Sequence, residues 1–217
     1  MNTLDLTPFL DSPRLPDFAA AINERLQSEA AARVRFYDEM TDGEKVEFIG
    51  GEVIMHSPAR SRHMQAKSQL ARLLSVYVDV QKLGTVFDEK CLCVFPRNDY
   101  ESDIVFFGPE KSATITPETM KFPVPDFVVE VLSDTTEHRD RGVKFEDFEA
   151  HGVGEYWIVD AANEIVEQYL IEDGTFQIAI KSGSGEIVSR VVSGFQIPIR
   201  AIFNLDENLT TLKYLCR

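Results

Sequence analysis

The stretch "PVPDFVVEVLSDTTEHRDRGVKFEDF", Pro123 to Phe148, decides how this chain folds. Phe127, Val128 and Val129 open a buried strand, yet Glu130 stands between Val129 and Val131. Side chains alternate along a strand, so Asp126, Val128, Glu130 and Leu132 share one face and Phe127, Val129 and Val131 the other. Both faces are largely apolar, as in a central strand covered on two sides. An ionised Glu130 is costly there unless it is paired or bound to metal. Near the C-terminal end of the strand, however, it can open onto a cleft, where α/β proteins place their ligands.

The charged run that follows predicts a helix over roughly Thr136 to His151, ending at Gly152. Asp140, Lys144, Phe148 and His151 lie at spacings of four, four and three, so they form one stripe. Phe148 belongs to the core, which turns Lys144 towards the sheet and the strand that holds Glu130. Beside carboxylates its ammonium form is favoured, and it could orient a water or stabilise charge on a phosphate. The alternative is a surface lysine paired with Asp140 or Asp147. Asp103 opens the preceding run, "SDIVFF", in a setting like that of Glu130. Two acids on neighbouring strands make an oxygen-rich site suited to magnesium; spacing alone equally fits two solvated strand ends. Asp126 is the poorer partner, since four residues of extended chain put it ~13 Å from Glu130.

Around this block the chain alternates helix and strand. "DFAAAINERLQSEAAARV" is an alanine-rich helix former with Asp17 as its cap. "KVEFIGGEVIM" reads as a hairpin about Gly50-Gly51. A long helix follows over "SPARSRHMQAKSQLARLLSVYVDVQKLG", with Met64, Leu70, Leu73, Leu74 and Tyr77 at helical spacing and Gly84 closing it. "TVFDEKCLCVF", "SDIVFF" and "DFVVEVL" are three strand-like runs. "EYWIVD" is another strand, "EIVEQYLIEDGTFQIAI" a hairpin about Asp173-Gly174, and "EIVSRVV" a further strand. The fold class expected is α/β: a mixed central sheet flanked by helices, with additional β-hairpins. Strand 126–132 and strand 155–160, joined by the helix, should form a parallel pair.

The 217 residues suit one domain with an extension, and 44% hydrophobic with 27% charged residues is ordinary for a globular chain. The start "MNTLDLTPFLDSPR" shows no leader pattern, and no apolar run approaches the ~20 residues of a membrane span. Cys91, Cys93 and Cys216 are too scattered for a disulfide framework or a zinc site, so a reduced, cytoplasmic setting is expected. The net charge of −14 argues against nonspecific nucleic-acid binding, which normally uses surplus Lys and Arg. It leaves room for a local basic patch. Arg60, Arg62, Lys67 and Arg72 cluster around His63, and Arg139 and Arg141 flank the second motif. They could line a cleft rim and seat phosphates, or form an ordinary solvated helix face.

"VEFIGGEVIMHSPARSRH", "SDIVFF", "PDFVVEVLSDTTEHRDRGVKFEDFEAHGVGEYWIVD" and "GFQIPIRAIF" follow one another as in the Uma-type restriction endonucleases, a branch of the PD-(D/E)XK nuclease superfamily, which the chain resembles from about Phe36 to Phe203. The resemblance implies a restriction-endonuclease-like fold, with residues 1–35 as a helical extension, 36–205 as the nuclease domain and 206–217 as a tail. It implies metal ligands at Asp103 and Glu130 and a catalytic lysine. The superfamily's lysine normally sits two residues past the glutamate, where this chain has Leu132, so Lys144 on the following helix is the matching residue. The family's early glutamate corresponds to Glu47, acting through a second metal or a water, and its histidine to His63. Ser102 stands where proline is usual, and Gly50-Gly51 where Asp-Gly is usual; neither removes an acid. The activity implied is magnesium-dependent cleavage of DNA, with manganese as a possible substitute. Exposed sheet edges and the late hairpin suit a homodimer cutting two strands. A non-catalytic nucleic-acid- or protein-binding module on the same fold is the competing expectation.

Overall fold

A computed structural model describes residues 5–41 and 43–216. Two helices, α1 (Thr7–Leu10) and α2 (Leu15–Glu39), lead into the hairpin β1 (Val46–Ile49) and β2 (Glu52–Met55). Next come α3 (Ser61–Gln81), β3 (Thr85–Asp88), β4 (Leu92–Val94), β5 (Asp99–Tyr100), β6 (Ile104–Phe107), α4 (Pro109–Ser112) and β7 (Lys121–Phe122). The decisive block forms β8 (Phe127–Val131), α5 (Glu137–Asp140) and α6 (Val143–Ala150). The chain ends in β9 (Glu155–Asp160), β10 (Ile165–Glu172), β11 (Thr175–Ser182), β12 (Glu186–Val188), β13 (Gln196–Pro198), a 3₁₀ turn (Ile199–Ile202) and α7 (Leu205–Leu215).

β8 lies inside a six-stranded mixed sheet ordered β11-β10-β9-β8-β6-β3. It pairs parallel with β9, as the intervening helices require, and antiparallel with β6. The period-2 reading holds residue by residue. Phe127, Val129 and Val131 pack in one core with Leu70, Leu73 and Leu74 of α3. Val128 packs in a second core with Phe148 of α6 and Tyr100 of β5. Fully burying a ring such as Phe148 contributes roughly 2–3 kcal/mol, which presses α6, and Lys144 with it, onto the Glu130 face. A five-stranded sheet, β2-β1-β5-β4-β7, closes over that same face. The late hairpin β12-β13 stands apart as a two-stranded sheet.

Local chemistry explains where the elements differ from expectation. "TVFDEKCLCVF" is two strands in two sheets, because Glu89 and Lys90 both take positive φ (63° and 51°) and turn the chain between layers. The expected helix from Thr136 to His151 breaks at Gly142, whose backbone lies so close that a Cβ would sit 2.7 Å from the His138 carbonyl oxygen. Asp140, Lys144 and Phe148 stay buried across the break, whereas His151, the fourth member of the expected stripe, is exposed at the end of α6. α2 begins after Arg14 with no side-chain cap; Asp17 sits in its first turn instead. Of the residues at helical spacing in α3, Met64 is 56% exposed while Leu70, Leu73 and Leu74 are buried. The strand expected over "EIVSRVV" stops at Val188, and the segment expected as a tail is helix α7, with Asn204 accepting from the Glu207 amide at its start. Among the described residues no helix is long and apolar enough to cross a membrane.

α2 is tied to the second sheet. Arg33 pairs with Asp99, Arg97 with Glu29, and Phe36 stacks on Phe48 of β1 at 5.6 Å. Gly51 in the β1–β2 turn has φ 93°, and a Cβ there would meet Glu29 Cγ at 2.9 Å, so the Gly-Gly turn admits the helix. Residues 35 and 36, where the sequence suggested a boundary, lie inside α2.

Glu155 anchors the start of β9. Its fully buried carboxylate accepts from Trp157 Nε1 (2.6 Å), Gln168 Nε2 (2.7 Å), Ser189 Oγ (2.7 Å) and the amides of Arg190 (2.9 Å) and Val191 (3.0 Å). Glu155→Ala strands several buried donors, each costing ~1–3 kcal/mol. The expected outcome is a loss of at least ~3 kcal/mol in urea unfolding; a change below ~1 kcal/mol would show that water replaces the carboxylate.

Candidate active site

Ile104 of β6 faces Val129 of β8, and the next residues, Asp103 and Glu130, come together just beyond this last paired rung. Like charges brought together across a sheet repel, so the pair persists only if other groups compensate. Val131 donates its amide to Asp103 Oδ2 at 2.9 Å, and the Asp103 amide lies 3.4 Å from Glu130 Oε2. Lys45, just before β1, donates to Asp103 Oδ1 at 2.9 Å. Lys144 of α6 donates to Glu130 Oε1 at 2.9 Å.

Lys144 has further acids around it. Its Nζ lies 2.8 Å from Glu47 Oε1 and 3.4 Å from Asp140 Oδ1. Glu47 Oε1 also accepts from the Glu101 amide at 3.1 Å. His56 Nε2 is 3.1 Å from Glu47 Oε2 but off the line a hydrogen bond needs; neither atom has a hydrogen-bond partner among the described residues. His63, at the start of α3, places Nε2 3.5 Å from Asp103 Oδ2. Two ammonium groups and two imidazoles thus stand among four carboxylates.

These neighbours set the protonation of each acid. Burial pushes Asp103 upward, but His63 and Lys45 outweigh it and hold the carboxyl below the ordinary aspartate range. Burial likewise opposes ionisation of Glu47, and Lys144 with His56 holds it at about 2. Glu130 goes the other way. Burial raises it to about 7; Lys144 offsets part of this, while Asp140, Asp103 and Glu47 add to it. Burial works against the charge on Lys144, yet Glu130, Glu47 and Asp140 keep it protonated, well above the ordinary lysine value. The geometry therefore separates two neighbouring acids, one firmly ionised and one that holds a proton near neutrality.

Asp103, Glu130 and Asp140 line a cleft of about 1050 Å³, and Glu47 lies behind Lys144. Arg60, Arg62, His63 and Arg139 line it, with Arg60 paired to Asp134 at 2.8 Å. Three basic residues named with them are elsewhere. Lys67 pairs with Glu89, Arg72 donates to Asn208 Oδ1 at 3.3 Å, and Arg141 forks onto Glu167 at 2.8 and 3.0 Å; none lines the cleft. Asp126, the neighbour of Pro125, bonds to Lys111 and the Gly108 amide at the other end of β8. Lys45 and His56 were not singled out in the sequence. Alternation gives the signal for both: Lys45 lies two residues before Glu47 on the same face, and His56 lies across the hairpin from Lys45, donating its amide to the Lys45 carbonyl.

Asp103 and Glu130 offer hard carboxylate oxygens side by side. Among the described residues no three His, Cys, Asp or Glu side chains form a ready-made metal cage. A two-carboxylate set suits magnesium, which takes one or two acids and completes its shell with water and phosphate oxygens.

The family model Uma2, described as "Putative restriction endonuclease", matches residues 31–200. A solved structure of a "putative nuclease belonging to DUF820" from Anabaena variabilis shares the fold, with a TM-score of 0.67 at 18% identity over 82% of this chain and 96% of that one. No curated protein matches the chain.

Replacing Lys144 with methionine keeps the stem but leaves buried Glu47, Glu130 and Asp140 without their cation. Breaking a buried charge pair in this way costs roughly 3–5 kcal/mol. The expected result is a destabilisation of that size in chemical unfolding at pH 7, shrinking as the pH falls and the stranded acids take up protons. A Lys144→Met protein as stable as the wild type at pH 7 contradicts the central role given to this charge.

Proposed function

The chain belongs to the Uma2 family of restriction-endonuclease-like proteins, and from that premise we propose that it is a divalent-metal-dependent endonuclease hydrolysing phosphodiester bonds in DNA. The observation that supports this best is the side-by-side placement of Asp103 and Glu130 in the lining of a cleft, against the ordinary rule that like charges avoid close approach across a sheet.

On this reading Asp103 and Glu130 hold the cation, magnesium or manganese in its place. A cation held there would supply Lewis-acid chemistry, polarising a phosphate and making a water at the site more acidic. Asp103 is ionised ahead of time, so it is ready to bind. Glu130, whose carboxyl is raised to about 7, would have to be ionised to serve as the second ligand, and positive charge beside it would favour that form. Lys144 fixes Glu130, Glu47 and Asp140 relative to one another, and Glu47 in turn carries the position of β1 to the site. Arg60, Arg62 and Arg139 seat the flanking phosphates along the rim. His63 steadies Asp103. Two copies acting together would cut both strands of a duplex.

The test is nicking of supercoiled DNA by the purified protein with magnesium or manganese. Wild type should nick, and Asp103→Ala and Glu130→Ala should each lower the rate at least ~100-fold while circular dichroism stays native. A double variant that cleaves at the wild-type rate removes these acids from the chemistry. DNA binding by a wild type that never cleaves identifies instead a non-catalytic binding module.

A further inference from the structure

Two ammonium groups stand at the acids, and they are not equivalent. The Lys144 side chain is 1% exposed. Its Nζ donates to Glu130 Oε1 at 2.9 Å and lies 2.8 Å from Glu47 Oε1 and 3.4 Å from Asp140 Oδ1, so its charge is enclosed by three acids. Moving that charge to a phosphate would take the shared cation from three buried carboxylates. Both lysines line the cleft, but Lys45 is placed differently. Its side chain is 20% exposed, and among the described residues its ammonium pairs only with Asp103, at 2.9 Å. Two of its three donors are uncommitted.

The backbone holds Lys45 firmly in this position. Its carbonyl accepts from the His56 amide at 3.2 Å, and the next amide, that of Val46, donates to Glu101 Oε2 at 3.1 Å. Val46 and Phe48 point into a separate apolar cluster with Phe36 and Leu92. Alternation then directs Lys45 and Glu47 to the acids. A charge fixed before substrate arrives is worth more to a developing anion than one that must be recruited.

We infer that Lys45, rather than Lys144, is the ammonium group that meets the phosphate undergoing cleavage, and that Lys144 is a positioning residue. This rests on the nuclease reading above. One charge at Lys45 spans the gap between Asp103 and a non-bridging phosphate oxygen, so it binds the substrate and stabilises the negative charge that grows on the phosphoryl oxygens.

The experiment compares wild type, Lys45→Ala and Lys45→Arg by two measurements. One is single-turnover nicking of supercoiled DNA in magnesium. The other is equilibrium binding of a short duplex across potassium chloride concentrations, at fixed calcium, a hard cation with the same taste for oxygen. Lys45→Ala should remain folded, nick at least ~100-fold more slowly, and show a salt slope shallower by about 0.9, the value of one phosphate contact. Lys45→Arg, which keeps the charge, should recover the slope and part of the rate. Nicking within about threefold of wild type in Lys45→Ala overturns the inference and leaves the nuclease reading standing. A slower rate with an unchanged slope and no rescue by arginine also overturns it, because Lys45 then acts only through Asp103. A wild type that binds without nicking, with the slope lowered in Lys45→Ala, keeps the phosphate contact and removes the nuclease reading. A wild type that neither nicks nor binds overturns both.

Discussion

The charge on Lys144 is the constraint on which the rest of this structure depends. Glu47, Glu130 and Asp140 come from β1, β8 and α5, three elements far apart in sequence, and each is buried. At an effective dielectric near 20, like charges about 4 Å apart repel by ~4 kcal/mol, and drying out each ion costs several more. Three acids cannot share one interior without a cation among them. Lys144 supplies it from α6, and α6 is held down by the Phe148 ring packed edge-on against Tyr100 and Tyr156. Apolar packing thus sets where a charge sits, and that charge sets where three acids can be.

The same logic reaches the N-terminal helix. α2 grips the second sheet through Arg33 and Asp99, and its Phe36 lies on Phe48, the residue after Glu47 in the hairpin strand. Tyr37 adds a hydroxyl to Asp99 at about the same distance from both oxygens, 3.1 and 3.0 Å. On the far side Asp147 of α6 accepts from Asn98 and Tyr100, both at 2.7 Å. Residues 98–100 are therefore clamped between α2 and α6, and β5 lies against β1. A helix that composition presents as an appendage is part of the frame that brings Lys45 and Glu47 to the cleft.

Most of the central sheet was legible because its signals are local and periodic. Alternation along Phe127–Val131 placed Glu130 on the α6 face, and the spacing of Asp140, Lys144 and Phe148 placed the lysine opposite it. The family model and the shared fold bear out the resemblance and the fold class. Legibility failed where the deciding contact lies far away in sequence. Nothing near Lys45 announces an acid 58 residues on. Arg141 reads like a cleft residue until β10 brings Glu167 to it. The turn at Glu89 and Lys90 uses residue types that rarely take positive φ, so a strand run looked continuous where the chain changes sheets. Gly142 gave a visible hint, but a glycine within a helical pattern is usually tolerated.

The acid total of −14 and a polyanionic substrate are compatible only if attraction is local. At physiological salt, charges on the far surface are screened within ~8 Å, so their repulsion fades before the duplex touches the protein. Inside the cleft screening is weak and the balance is different. Asp103, Glu130 and Asp140 line the cleft beside Lys45 and Lys144, with Glu47 behind Lys144, so acids outnumber lysines there. On the proposed reading a divalent cation on Asp103 and Glu130 would offset that excess of acid, so that the rim arginines and Lys45 could attract the substrate. Cation loading and phosphate binding are then one coupled event, each strengthening the other by the same free energy. An acidic protein can act on DNA under this coupling because the phosphate finds a favourable surface only where, and only when, the cation is in place.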